Sequence, residues 1–313
     1  MARLVVVTPA AAGARNGNRH TAARWASMLR ARGHRVQVVT EWRGEACDAM
    51  LALHARRSHA SIAAFKNQSR PLVVVLTGTD LYRDLPASRD ARDSLALADR
   101  VIVLQEEALR SLDATVRRKA RVVYQSSDCG LRASPPRKPF RITVVGHLRS
   151  EKDPFRTVEA LQYIRDENIE VVHIGGALEP KLGAKAQAWM GREPRYRWLG
   201  SIPHTRALRH ISRSHLLVHS SVMEGGANVL VEAARIGTPV LASRVPGNVG
   251  MLGRRYPGYF RLHDDEALAA LIRRAMGERQ FYAGLQRALR ARRPLFSPAA
   301  ERRGLLRALA GLV

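Results

Sequence analysis

The sequence predicts two tandem doubly wound α/β domains, each a parallel sheet covered by helices on both faces. Three observations lead there. Short apolar, β-branched runs alternate with longer helical patterns, a proline-rich stretch breaks the alternation, and the same alternation then starts again. At 313 residues the chain also exceeds the usual size of a single core, so two are expected.

The first round reads LVVVT (Leu4–Thr8), a helix over Thr21–Arg32, VQVVT (Val36–Thr40), the DAMLAL strand (Asp48–Leu53), a helix near Ser61, PLVVVLTG (Pro71–Gly78), RVIVL (Arg100–Leu104) and RVVYQ (Arg121–Gln125). SPPRKP (Ser134–Pro139) is the linker. The second round reads RITVVG (Arg141–Gly146), a helix from Pro154, EVVHIGG (Glu170–Gly176), YRWLG (Tyr196–Gly200), LLVHSS (Leu216–Ser221) and TPVLAS (Thr238–Ser243). The expected division is 1–136, 137–290 and a basic amphipathic C-terminal helix over 291–313, which packs back on the first domain or touches a membrane. Open sheets of this kind bind ligands beyond their carboxyl ends, so a central cleft faced by both sheets is expected.

Composition narrows the class. With 46% hydrophobic residues the chain is folded rather than disordered. Its 52 Lys and Arg against 27 Asp and Glu favour anionic partners: phosphates, nucleic acid or acidic membrane. Arg117, Arg118, Lys119 and Arg121 cluster at a predicted helix end, where cations suit the dipole. Cys47 and Cys129 match no metal spacing, which points to a reducing cytoplasm. The apolar start LVVVTPAAAG (Leu4–Gly13) lacks the marks of a leader or a span, so a soluble or at most peripheral protein is expected.

Two stretches of the second half carry chemistry. Gly146 ends a strand, and His147–Lys152 forms a loop before Asp153, read as an N-cap, and Pro154, read as the first helical residue. Arg149 and Lys152 then sit beside a helix N-terminus, a setting for a diphosphate. In MEGGANVLVEA (Met223–Ala233), Gly225, Gly226 and Ala227 leave room for a ligand, and Asn228 opens a helix that Gly237 and Pro239 close. Glu224 precedes that helix and Glu232 lies about one turn inside it. A carboxylate there suits the vicinal hydroxyls of a ribose.

For a second anion site the first half offers Asn18, Arg19 and His20 at the first helix, or His54, Arg56 and Arg57 after DAMLAL. The first set is preferred, and His20 has the pKa to act as acid or base. His210, His215 and His219 read as packing residues. Asp80 either holds ligand hydroxyls or closes a turn.

Glu224 through Glu232, followed by Ala233–Val240, resembles the E-x7-E signature of the retaining glycosyltransferases of family 4, which have the GT-B fold of two Rossmann-like domains. Gly146–Lys152 resembles that family's diphosphate loop, and Gly17–Thr40 its first glycine loop, helix and second strand. The resemblance implies an N-terminal acceptor domain and a C-terminal nucleotide-sugar domain. It puts Glu232 on the donor ribose, Lys152 on the diphosphate, and Glu224 with the amides of Gly225, Gly226, Ala227 and Asn228 beside the donor sugar, with Gly146 at the loop. Glu224, Arg149, Lys152 and His20 are the expected catalytic residues. Gly17, Asn18, Arg19, His20, Thr77 and Asp80 are the expected acceptor contacts, and neither metal nor cofactor is expected. Two departures stand out. His147 occupies the usual arginine position, so its role passes to Arg149; and LTGTDLY (Leu76–Tyr82) lacks a histidine frequent in the family, which favours an acceptor that is already anionic.

NGNRHTAARW (Asn16–Trp25), LHARRSHASI (Leu53–Ile62), LTGTDLY, EGGANVLVEA and VPGNVGMLG (Val245–Gly253) together resemble one narrow branch, the selenosugar synthases of selenoneine biosynthesis. That resemblance implies transfer of N-acetylglucosamine from a UDP-sugar to the selenium of selenophosphate, giving a 1-selenosugar with release of UDP and phosphate. Three other readings are weighed against it. One is transfer to a hydroxyl of a lipid or glycan, another is a sugar epimerase of the same fold, which would bind donor without an acceptor. The third is a basic nucleic-acid-binding protein, for which aromatic interleaving and a known module are lacking. Small-molecule substrates are therefore expected, without nucleic acid or stable membrane insertion, and oligomeric state stays open.

Overall fold

The structure, a computed structural model, describes residues 1–11, 13 and 17–313. Ala12 and Asn16, which belong to two stretches quoted above, lie outside the described residues. Met1–Ser126, Glu224–Ala227 and Pro298–Val313 form one compact unit, and Ser127–Met223 with Asn228–Ser297 the other. Each is a doubly wound α/β unit built on a six-stranded parallel sheet.

In unit 1 the strands are β1 (Arg3–Val7), β2 (Arg35–Val39), β3 (Ala49–Leu53), β4 (Leu72–Val75), β5 (Arg100–Val103) and β6 (Ala120–Val122), in the order β2-β1-β3-β4-β5-β6. β3 and β4 are buried along their whole length, so alternate side chains enter two cores. Val5, Val7, Met50, Ala52 and Val74 pack on one face with Ile62 and Phe65 of the His59–Lys66 helix. Leu4, Val6, Leu51, Leu53, Val73 and Val75 pack on the other with Trp25 and Leu29 of the Gly17–Arg30 helix. Each fully buried large side chain contributes about 1.5–3 kcal/mol, and a one-residue slip of a strand would exchange the two sets.

The Pro298–Leu309 helix belongs to this same core through Leu305, Ala308 and Leu309. Its Glu301, 1% exposed, accepts hydrogen bonds from Arg24 Nε (2.8 Å), Trp25 Nε1 (2.7 Å), the Ser126 amide (2.9 Å) and the Ser126 hydroxyl. Four donors compensate one buried carboxylate, which would otherwise cost several kcal/mol to desolvate. The C-terminal helix thus packs on the first half of the chain, as the sequence led us to expect.

Unit 2 contains β7 (Phe140–Val145), β8 (Ile169–Ile174), β9 (Tyr196–Trp198), β10 (Leu216–His219), β11 (Val240–Ser243) and β12 (Tyr259–Phe260), in the order β12-β11-β10-β7-β8-β9. β12 was not anticipated; two residues are too short to leave a pattern. After β9 the chain returns to the far side of β7, so strand order reverses between β7 and β10. In unit 1 the reversal falls between β1 and β3. Such switch points open a crevice beyond the carboxyl ends of the two strands.

One local expectation is corrected. Asp153 is not an N-cap and Pro154 does not start a helix: the helix spans Arg156–Ala160 with Phe155 at its N-cap, and Asp153 is left-handed (φ 43°). Its carboxylate instead faces Arg156 (2.9 Å) and His263 (3.2 Å), while its carbonyl accepts from the Ser220 hydroxyl at 2.8 Å. The side chain answers its cationic neighbours rather than free amides. No helix among the described residues is long and apolar enough to cross a membrane.

Candidate functional site

The switch point of unit 2 gathers most of the residues singled out in the second half. Gly146 follows β7, and its carbonyl is 3.3 Å from Nε2 of the buried His173, whose Nδ1 lies 3.0 Å from the Tyr196 hydroxyl. Burial pushes His173 down to about 4, so it is neutral, donates from Nε2 to Gly146 and accepts from Tyr196. Across the turn, Gly175 has φ 152°, and a β-carbon there would lie 1.9 Å from the Gly146 carbonyl oxygen. Only glycine lets the ends of β7 and β8 close together in this way.

Arg149 N-caps the short 3-10 turn Ser150–Lys152. Its Nε is buried with no hydrogen-bond partner among the described residues, a state that is costly unless an anion arrives. Two bonds fix this loop to the segment after β10: the Val222 amide donates to the Glu151 carbonyl (2.9 Å), and the Ser220 hydroxyl to the Lys152 carbonyl (3.1 Å). His147 accepts the Gly176 amide at Nδ1 (3.2 Å) and so serves the loop backbone.

Glu232 lies in the Asn228–Ile236 helix, which ends at Gly237 (φ 96°). The helix starts and stops where the sequence indicated. Its carboxylate is not vacant, because His204 Nε2 is 2.8 Å from Glu232 Oε1. The Glu232 hydrogen bond raises the His204 pKa above its usual value against some desolvation, and Asp128 adds to the rise. Sequence reasoning missed His204. It begins the His204–Ser212 helix after Pro203 and is separated from Glu232 by 28 positions, so no local pattern links them.

Glu224 and Gly225–Ala227 pack with unit 1 instead. A β-carbon on Gly225 would meet Gly78 N and Thr77 C at 2.5 Å, and one on Gly78 would meet Gly225 N at 2.8 Å. On Gly226 it would meet the Leu104 side chain at 2.8 Å and Gln125 Oε1 at 2.9 Å. The room these glycines leave is therefore taken by protein: two backbones touch at Gly78 and Gly225. Glu224 is 8% exposed.

In unit 1, Gly17, Asn18, Arg19 and His20 form the first turn of the Gly17–Arg30 helix, with Gly17 and His20 exposed and Asn18 and Arg19 half-buried. Thr77 and Asp80 belong together. Asp80, fully buried, accepts from the Thr77 amide (2.7 Å), the Thr77 hydroxyl (2.8 Å) and the Ala55 amide (3.0 Å). Of the two roles open to Asp80, closing the turn is the one observed, and its carboxylate is fully engaged within the protein. His54 is also buried and stands in the left-handed region (φ 74°), between Asp80 and Asp84.

Of the three histidines read as packing residues, His215 stacks on Phe140 (4.5 Å) and accepts the Arg141 amide at Nδ1 (2.9 Å), His219 lies buried in β10, and His210 is half-buried. Cys47 and Cys129 are both free thiols. Among the described residues no group of three or more His, Cys, Asp or Glu side chains could hold a metal ion.

Comparison with known proteins fits this geometry. The family model described as "Glycosyl transferases group 1" matches residues 132–292, just over half of the chain. Among solved structures, Anabaena HepE in complex with UDP and glucose superposes with a TM-score of 0.79 at 17% identity over 100% of both chains. Sucrose-phosphate synthase from Thermosynechococcus elongatus gives 0.78 at 18% over 97% of each. Both share the GT-B fold. Curated relatives include Glycosyltransferase 1 domain-containing protein 1 of Xenopus tropicalis, 23% identical over 58% of this chain. Another is the Escherichia coli UDP-Gal:alpha-D-GlcNAc-diphosphoundecaprenol alpha-1,3-galactosyltransferase, 29% identical over 44% of the chain. The chain spans 59% and 37% of the lengths of these two relatives.

Proposed function

The chain belongs to the group 1 glycosyl transferases, and from that premise we propose that it transfers a sugar from a UDP-sugar to an anionic acceptor, selenophosphate. One observation carries the donor half: the buried Arg149 Nε has no hydrogen-bond partner among the described residues and stands with Lys152 in one short turn at the switch point of unit 2. An unpaired buried guanidinium N–H is complementary to a diphosphate, and two cations there would neutralise the charge that gathers on a departing UDP. Glu232, on the helix beyond, would take the ribose hydroxyls. HepE, bound to UDP in its crystal structure, lends support to UDP as the nucleotide.

The acceptor rests on chemistry and on the resemblance of the quoted segments to the selenosugar synthases. A selenophosphate selenium is polarisable and already anionic, so attack on the anomeric carbon requires no general base. In the balanced reaction a C–Se bond forms as the C–O bond to UDP breaks; water then cleaves Se–P, releasing phosphate and leaving the 1-selenosugar. His20 would serve as acid or base in that second step. N-acetylglucosamine is the sugar the resemblance favours.

A second reading has its own support. The E. coli relative is named for a sugar acceptor carried on diphosphoundecaprenol, which favours a hydroxyl of a lipid-linked glycan. Mass spectrometry of the protein incubated with UDP-N-acetylglucosamine, with and without selenophosphate made in place, separates the two. A selenium isotope envelope at the selenosugar mass, dependent on both substrates, is expected. Intact donor with selenophosphate, but turnover with lipid-linked glycans, would replace the first reading by the second.

A further inference from the structure

The carboxyl ends of β3 and β4 in unit 1 hold a polar group that the transfer described above does not use. It consists of His54, Thr79, Asp80 and Asp84, with Arg56 and Arg57 on the turn that follows β3. His54 is 1% exposed, Asp80 is 0% and Asp84 is 6%. Thr79 above them is half-buried, and Arg56 and Arg57 are exposed. A buried histidine with φ 74° is held in a conformation that non-glycine residues seldom adopt, so its surroundings fix it.

The neighbours of His54 also fix its proton. Nδ1 accepts the Arg57 amide at 3.4 Å, which leaves the ring proton on Nε2. Two oxygens stand before Nε2: Thr79 Oγ1 at 3.3 Å and Asp84 Oδ2 at 3.7 Å. Asp80 Oδ2 is 4.0 Å from Nδ1, and both Asp80 oxygens already accept from the Thr77 and Ala55 groups, so Asp80 cannot draw the proton away. Asp84 faces Arg56 Nε at 2.9 Å in an ion pair. Burial lowers the His54 pKa against the opposing pull of Asp80, with Arg57 and Arg56 lowering it further and Asp84 opposing them. The ring is therefore neutral near pH 7.

The consequence falls on Thr79. Its oxygen accepts from His54, so its own proton must go elsewhere, and among the described residues no acceptor takes it. The result is a half-exposed O–H, joined through His54 to the exposed turn of Arg56 and Arg57, at the carboxyl end of β4, the edge from which a doubly wound sheet receives ligands. We propose that Thr79 is the hydrogen-bond donor through which unit 1 binds an oxygen of the anionic acceptor, and that His54 is the positioning residue that keeps the Thr79 proton turned outward. This rests on the anionic-acceptor reading above. The 3.3 and 3.4 Å separations would shorten when an anion pulls on the far end of the chain.

The test compares Thr79→Val, Thr79→Ser, His54→Leu, His54→Gln and the double variant His54→Leu/Thr79→Val, after thermal melting has shown each to be folded. The readouts are selenophosphate kinetics, inhibition by inorganic phosphate and UDP affinity. Thr79→Val is expected to lower kcat/KM for selenophosphate about 10- to 100-fold, as loss of a charge-assisted hydrogen bond does, chiefly through KM. Phosphate inhibition should weaken in proportion, with UDP affinity unchanged. Thr79→Ser and His54→Gln, which keep a hydroxyl and an amide N–H at the same places, should stay near the parent. His54→Leu should follow Thr79→Val, and the double variant should be no worse than Thr79→Val alone. If the parent uses selenophosphate and Thr79→Val stays within about twofold of it, the proposal falls and the anionic-acceptor reading stands. A parent that neither uses selenophosphate nor responds to phosphate overturns that reading, and the proposal with it. Should His54→Leu fail to fold, the two Thr79 variants at a half-exposed position still decide.

Discussion

The two units treat a carboxylate at their strand ends in opposite ways. In unit 1 Asp80 is fully buried and accepts three hydrogen bonds from its own chain, from Thr77 and Ala55. In unit 2 Glu232 pairs with His204, whose side chain is 62% exposed. The first carboxylate is part of the architecture, and removing it strands buried donors. The second has a partner that solvent can replace, so a ligand can take its place at little cost. A carboxylate at a strand end is thus a binding group only when its hydrogen bonds are exchangeable.

That contrast can be broken most forcefully at Asp80. Asp80→Ala should destabilise unit 1 by about 3–5 kcal/mol, since the Thr77 and Ala55 donors would be left buried and unpaired; chemical denaturation that gave a loss below about 1 kcal/mol would show the turn to be held by something else. Arg149→Ala is expected to leave stability nearly unchanged while reducing turnover by about 10²–10³-fold, the usual effect of removing one charge-stabilising donor. Steady-state kinetics equal to the parent would reduce Arg149 to a structural cap. Glu232→Ala should weaken UDP binding by about 1–3 kcal/mol in calorimetry without unfolding the protein, the reverse of the pattern at Asp80.

The smallest effect is a pH dependence. Glu232 raises the His204 pKa above its usual value of 6.5. A raised histidine stabilises the fold fully below the unfolded pKa, and that contribution is lost as pH rises through the folded one. A nucleotide that claims Glu232 must first displace His204, so UDP affinity should increase over the same rise in pH. The side chain is largely exposed, so the change is modest, and His204→Ala should flatten it. A calorimetric pH series with equal slopes for parent and variant would detach His204 from the nucleotide.

Most of this fold was legible in the sequence, because parallel strands buried on both faces have to be continuous apolar runs, as AMLAL (Ala49–Leu53) and LVVV (Leu72–Val75) are. The Asn228–Ile236 helix was legible from Gly237 and Pro239 beyond its end. Asp153 misled because a good N-cap residue also makes a good ion-pair partner, and Arg156 with His263 decided between the two. The glycines after Glu224 announced a close approach, which the sequence reading gave to a ligand, whereas at Gly225 it is the Thr77–Gly78 backbone that comes close. Gly78 and Gly225 are far apart along the chain and meet only through folding. The pairings of His204 with Glu232 and of His54 with Thr79 were hidden for the same reason: the partners lie in different segments, and the chemistry arises from the pairing.

Glu301 has a consequence for synthesis. Arg24, Trp25 and Ser126 are made early, yet the carboxylate they all engage follows every strand of unit 2 in the chain, and Leu305 and Leu309 arrive later still. A ribosome therefore exposes the first half of this protein with one sheet face only partly covered, by the Gly17–Arg30 helix, while the second half is translated and has all its own strands in hand. The half that is made first is finished last, and the nascent chain must keep Trp25 from finding another partner until the final helix appears.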